Sequence, residues 1–487
     1  MRLLYNKLGS GINWLYSLSQ ERFFYLTTLI FYGLLYFNVN NKTLYGSFLL
    51  LVLIYKKKIK VWDLSLFLAA VASLVIVTGK TFKFLLIPWH ELAEGLGNYY
   101  SYFIITPFVL LTGLLFFVKG FKWLREKKMS DFKIKLSDWL LVGFLLFSLI
   151  SVGLSLSRSV AFWGWVGITI SIVYYFFGRS FFQKNVNKQR FLGIIQATVL
   201  FESVWAMAQF VKRDLLGRSI EVGVYQSRWF FIPRENLLKY RASGTFSHPN
   251  ELAGWLAILL PIIFALNFKK KSKRYVFVLI SGLVGLGMTL GRSAWGAVFV
   301  SMGLIYWILT IKHRIKLKIP RKSYFLIGLI GVILSGVFIS RLLSLNMANQ
   351  EGGVWNTRIV LIKEAWLLIK QFLLFGVGIN LSVPRMLSYN PFGKIYSYPT
   401  PVHSIYFHVL VETGLLASLA LFGFIFIKLK KAYQGMIKRI KPVYLVGFLG
   451  GVTGFLLNGL FHPLSVFNLT YILIMLSLLE GHNRNEF

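Results

Sequence analysis

The stretch RASGTFSHPNELAG, residues 241–254, sets an arginine, small residues, a histidine and a Pro-Asn pair at the mouth of a long apolar run. It is too polar for lipid and too particular for a plain linker. Ser247, His248 and Asn250 can cap a helix beginning near Glu251. The free N–H groups and partial positive charge of that helix start favour an anion. SGTF (243–246) lets the backbone approach closely. A second arginine, Arg292, lies in Gly291-Arg292-Ser293 between two apolar runs.

Each arginine has two readings by itself. Arg292 either snorkels into lipid headgroups or binds an anion. Arg241, in a segment with Arg228, Arg234 and Lys239, either attracts headgroups or does the same. Together on one face, each beside a helix end, they make a clamp for a pyrophosphate, because the planar guanidinium fork matches phosphate oxygens. His403, in YPTPVHSIYFHVLVETG, lies at a similar depth. It is either a structural interfacial histidine or a general base working near neutral pH. His408, inside the following helix, is the weaker candidate.

Other patterns carry less. HELAE (90–94) lacks the second histidine of a zinc hydrolase motif. No paired aspartates stand in the polar loops to hold a divalent metal, and no phosphate-binding loop of the ATPase type is present. Glu202 is a carboxylate within an apolar run, a functional suspect by position but better read as a helix-packing hydrogen bond. No cofactor is expected.

These residues need elements to hold them, and composition names the kind. Of 487 residues 56% are hydrophobic, and apolar runs separated by short lysine-rich breaks fill nearly the whole chain. This is the pattern of an all-α, polytopic integral membrane protein. The first spans serve as insertion signals, so the basic start MRLLYNKLGSG belongs to the working chain. The absence of cysteine excludes disulfides and thiolate metal sites. The net charge of +37 sits mostly in the breaks, where it sets orientation, so nucleic acid is not expected as a partner.

The runs are 23–38, 43–55, 62–78, 99–118, 139–155, 159–177, 191–210, 251–268, 275–290, 294–311, 324–340, 404–427, 443–461 and 464–479, giving about 12–14 transmembrane helices. Breaks 56–60, 119–135, 179–190, 269–274, 312–322 and 428–441 are basic and are assigned to the cytoplasm, with both termini. Residues 275–311 as one helix would run about 55 Å, too long for a bilayer of about 30 Å, so they fold as a hairpin with 291–293 at its outer tip. Loops 211–250 and 341–403 fall on the same outer side. Residues 356–378 carry apolar side chains at helical spacing with Arg358, Lys363, Glu364 and Lys370 between them. They predict an amphipathic helix along the outer surface, either a loop-packing element or a ligand contact. The tail EGHNRNEF reads as a disordered cytoplasmic end.

RASGTFSHPNELAGWLAILLP, LTLGRSAWGAV, TRIVLIKEAW…LLFGVGIN and HSIYFHVLVETGLLA together resemble the O-antigen ligase and O-antigen polymerase superfamily, in the family's order and over roughly residues 240–425. The resemblance implies the C-type glycosyltransferase architecture and metal-free transfer of a glycan from undecaprenyl pyrophosphate to a glycolipid or glycan acceptor outside the cytoplasmic membrane. It implies that Arg241 and Arg292 hold the donor pyrophosphate, that Arg358 supports them, and that His403 activates the acceptor hydroxyl. The tip reads Gly-Arg-Ser where the family often has Ser-Arg-Gly, and about fourteen spans exceed the family's usual dozen. The chain accordingly divides into N-terminal helices (1–190), a ligase-like core (191–427) and a C-terminal hairpin with its tail (428–487).

The chemistry is coherent on its own. Displacing a lipid pyrophosphate needs charge neutralised on the leaving group and a base for the acceptor, and a single displacement inverts the anomeric carbon. A polymerase would use the same donor, and a transporter of lipid-linked saccharide would share the basic loops. A transporter should also carry broken or charged spans in two related halves, and the sequence has no such symmetry.

Overall fold

The computed structural model describes residues 14–37, 41–75, 82–85, 102–105, 107–126, 134–213, 216, 231–232, 239–246, 248–269, 272–317, 354–390, 400–437, 442–463 and 466–480. Ser247, HELAE, Arg228, Arg234, the run 324–340 and the tail after Glu480 lie outside them, while Glu480 itself ends the last helix.

Helices dominate, as the apolar runs require. They are α1 (Gln20–Phe37), α2 (Asn41–Ile59), α3 (Trp62–Val75), α4 (Pro107–Glu126), α5 (Trp139–Gly153), α6 (Arg158–Phe181), α7 (Asn185–Lys212) and α8 (Pro249–Lys269). There follow α9 (Lys273–Met288), α10 (Arg292–Tyr306), α11 (Val354–Gln371), α12 (Ser382–Tyr389), α13 (Ile405–Ile437), α14 (Val443–Asn458) and α15 (Val466–Glu480). Among the described residues, six segments are long and apolar enough to cross a bilayer: Leu136–Gly153, Arg158–Phe181, Asn185–Lys212, Pro249–Lys269, Arg292–Lys312 and Ile405–Ile437.

Among the described residues, two short antiparallel ladders stand beside the helices. β1 (Phe82–Leu85) pairs with β2 (Tyr102–Ile105), and β3 (Phe231–Ile232) with β4 (Lys239–Tyr240). The run expected at 99–118 therefore divides: its aromatic and β-branched part Tyr102–Ile105 is extended, and the helix begins at Pro107, whose fixed φ suits a first turn.

Packing interleaves elements distant in sequence. α8 lies at the centre, nearly all buried, against α14 and α10, while α9 leans on α7. The close approach of α8 and α14 is made by small residues. A Cβ at Gly451 or Gly454 would strike the carbonyls of Ile258 and Ala257, so only glycine lets the two backbones meet. At the lysine-rich end, the buried Asp138 accepts from Tyr175 (2.9 Å) and Lys428 (3.0 Å) and pairs with Arg179. Glu480 pairs with Lys428 and Lys135, the latter at 3.3 Å. This compensated set of buried charges locks the ends of α5, α6, α13 and α15 together.

α13 is not one straight span. Gly414 has φ 77° and ψ 178°, a backbone break in the left-handed region that favours glycine. The segment after α11 fills the break: Leu415 N–H donates to Leu373 O (2.8 Å), Val377 N–H to Val411 O (2.9 Å) and Gly378 N–H to Glu412 O (3.0 Å). The interrupted helix hydrogen bonds are thus satisfied within the protein. This also explains why the helix expected over 356–378 stops at Gln371. Gly376 and Gly378 take φ of 72° and 105°, a path that brings the Val377 and Gly378 N–H groups to α13. The inner face of α11 (Leu361, Ala365, Leu368) packs on α12 and the start of α13, so it is a loop-packing helix as well as an amphipathic one.

Candidate functional site

The site gathers at the end of the bundle opposite the ion cluster, and its first component is the loop 241–246. α7 holds this loop from beneath. Glu202, fully buried, accepts from Thr245 N–H (2.8 Å) and from its hydroxyl (2.5 Å). Gln209 accepts from Gly244 N–H (2.8 Å) and donates to Gly244 O (2.8 Å). Gly244, at φ 60°, leaves no room for a Cβ against Glu202. The small residues of SGTF therefore permit close approach of the backbone to α7, and Glu202 anchors the loop through hydrogen bonds.

Arg241 projects from that anchored loop across two helix ends. Its Nε donates to Thr289 O (2.8 Å) after α9, and its Nη2 to Asn250 Oδ1 (2.5 Å) in the first turn of α8. His248 Nδ1 accepts from Asn250 N–H (3.0 Å) and so caps α8. Of the expected caps, His248 serves as one, whereas Asn250 spends its side-chain oxygen on Arg241.

The hairpin 275–311 turns at Thr289–Gly291, and Arg292 opens α10. Arg358, on α11, lies over the Phe461 ring at 5.7 Å and close enough to Arg292 for the two charges to act on each other. His403 sits just before α13, where Ile405 N–H donates to Gly459 O (2.8 Å) and Tyr406 OH to Leu456 O (3.0 Å). These bonds bring the end of α14 and the connection after it, with His462, to the start of α13. His462 Nε2 lies 2.8 Å from Ser293 Oγ. Arg241, His248, Asn250, Arg292, Ser293, Arg358, His403 and His462 are all partly buried.

Electrostatics give the cluster its character. Three carboxylates of the surrounding helices are engaged elsewhere: Glu202 with Thr245, Glu412 with His408 (3.1 Å) and Ser382 (2.8 Å), Glu364 with Asn390 (2.9 Å). Burial, and then the Arg358 charge, push the His403 imidazole down to about 4. His462 is pushed to about 3 by burial and by His403, Arg358 and Arg241. Burial and Arg241 hold His248 well below its ordinary value. All three rings are therefore neutral at pH 7. In His403 the carbonyl of Pro401, 3.0 Å from Nδ1, can only accept. Nδ1 must carry the proton, which leaves the Nε2 lone pair to accept one. The pocket can thus bind an anion through guanidiniums and take a proton through a neutral imidazole. Among the described residues, no group of three His, Asp or Glu is gathered as a metal-ligand set.

The structure brings together every site residue expected from sequence: Arg241, His248, Asn250, Arg292, Arg358 and His403. His408 pairs with Glu412 (3.1 Å). Sequence reasoning passed over His462 and Ser293. The signal was there: the alternation of spans puts the 459–465 connection at the same end as 292 and 403, and His462 stands beside a proline in it.

The fold defines a multi-pass helical membrane protein. Residues 276–422 match the family model described as O-antigen ligase, which supports an O-antigen ligase-like family and a ligase- or polymerase-type function in polysaccharide biosynthesis. The match takes in Arg292, Arg358 and His403, while Arg241, His248, Asn250 and His462 lie outside it. No curated protein matches the chain.

Proposed function

We propose that the chain is an inverting, metal-independent glycosyltransferase of the bacterial cytoplasmic membrane, moving a glycan from undecaprenyl pyrophosphate to an acceptor hydroxyl at the outer face. The observation that carries this reading is the convergence of three guanidiniums and a neutral histidine with one free ring nitrogen at one end of the bundle. Arg241 and Arg292, with Arg358 behind them, neutralise charge developing on the departing pyrophosphate. His248 and Asn250 shape the helix start at which it binds. His403 Nε2 takes the acceptor proton as the hydroxyl oxygen attacks the anomeric carbon and the bond to the pyrophosphate oxygen breaks. A ligase and a polymerase would differ only in the acceptor presented to this base.

Orientation is the part of the proposal most readily tested. The chain has no cysteine, so single cysteines report position without a background. Glu251 and Ser388 are exposed at the site end, and Lys431 is exposed at the far end of α13. Glu251→Cys and Ser388→Cys should react with an impermeant maleimide in intact cells, and Lys431→Cys only after permeabilisation. The reverse pattern would place the site in the cytoplasm and end the proposal.

A further inference from the structure

The strongest group outside the assigned residues is the Ser293–His462 pair. Ser293 follows Arg292 in the first turn of α10, and its hydroxyl is 2.8 Å from His462 Nε2. His462 lies on the connection after α14, and two hydrogen bonds, one at α14 and one at Gly459 just beyond it, fasten this end to the start of α13 beside His403. Phe461, its neighbour in the chain, supports Arg358. One short connection therefore touches three of the elements that build the pocket: α10, α11 and α13.

We propose that His462 is a positioning residue that aims the Ser293 hydroxyl at the pyrophosphate held by Arg292. This rests on the reading of the pocket as a pyrophosphate site. A serine hydroxyl has one hydrogen and two lone pairs. When His462 Nε2–H donates into Oγ, the hydroxyl hydrogen is released to donate to a phosphate oxygen, and each bond in such a chain polarises the next. The ring suits this work. Its surroundings keep it uncharged at pH 7, so it carries one N–H and orients Ser293 rather than adding a further cation. A purely structural pair would tie α10 to the segment 459–463 and nothing more. The two roles differ in what they do to phosphate discrimination.

The test measures binding of undecaprenyl pyrophosphate and undecaprenyl phosphate to the full chain in nanodiscs, with melting temperature alongside. Ser293→Ala and His462→Ala should each weaken pyrophosphate binding about tenfold, with little change for the monophosphate. The double variant should be no weaker than either single one, because both changes remove the same bond. His462→Gln, which can still donate to Ser293, should recover most of the loss. If His462→Ala does not fold, Ser293→Ala and His462→Gln carry the test. Wild-type pyrophosphate affinity in the single variants, or losses that add in the double variant, would overturn the proposal while Arg292→Ala still weakens binding. If Arg292→Ala also binds like the wild type, the pyrophosphate reading falls, and this proposal with it.

Discussion

His403→Ala is expected to slow glycan transfer by about 10²–10⁴-fold, the usual worth of a general base, with donor affinity nearly unchanged because the arginines hold the pyrophosphate. The pH profile should carry a specific mark. In the free enzyme His403 has a value of about 4, below the ordinary one, so it is neutral and able to accept a proton at any pH above that. The acid limb of kcat/KM, which reports the free enzyme, should therefore lie near pH 4 and not near 6.5. Bound pyrophosphate offsets the Arg358 charge that helps hold the ring down, and so raises its value. The acid limb of kcat, which reports the complex, should then lie at higher pH than that of kcat/KM. Both limbs should disappear in His403→Ala. His408→Ala, by contrast, leaves the Glu412 carboxylate without its imidazole and should chiefly lower the melting temperature, keeping both limbs and moving them only slightly to higher pH as a minor contribution to the His403 value is lost.

The second large effect is expected at Arg292. Arg292→Lys keeps the charge but offers a single compact ammonium in place of a planar fork. Transfer should fall nearly as far as in Arg292→Ala, by about 10²–10³-fold, the cost of removing a preorganised donor to developing negative charge. Arg241→Lys should keep the charge but lose the anchoring. The Nε bond to Thr289 and the Nη2 bond to Asn250 both disappear, and with them the bridge between α8 and the end of α9. Steady-state transfer rates on all four lysine and alanine variants check this. Near-normal rates in the lysine variants beside inactive alanine variants would mean that charge alone matters.

Much of this site is legible in the sequence because membranes constrain local geometry strongly. A 275–311 helix is too long for a bilayer, so the turn at Gly291 and the placing of Arg292 at a helix start follow from length alone. The same alternation brings 241, 292 and 403 to one end. Side-chain partnerships are a different matter. That Asn250 serves Arg241 rather than the helix cap depends on where the anchored loop lies, which Glu202 and Gln209 decide from another helix. The break at Gly414 was hidden because VLVETGLLA is a continuous helical pattern, and a lone glycine within one is ordinarily tolerated. Only the glycine-rich segment 373–378 docking alongside makes the break favourable. His462 went unnoticed because a single histidine in a short connection matches no motif. Its meaning comes from α14 ending beside His403.

The most direct measurement of the central claim is the lipid-linked glycan found in cells whose chromosomal copy carries His403→Ala. Lipid extracts would be analysed by mass spectrometry, with an impermeant glycan-modifying enzyme applied to spheroplasts to report the leaflet. The account predicts that surface polysaccharide is lost and that its building unit accumulates on undecaprenyl pyrophosphate, open to the enzyme at the outer face. Accumulation confined to the inner leaflet would mark a transporter instead, and unchanged surface polysaccharide with no accumulation would contradict the account outright.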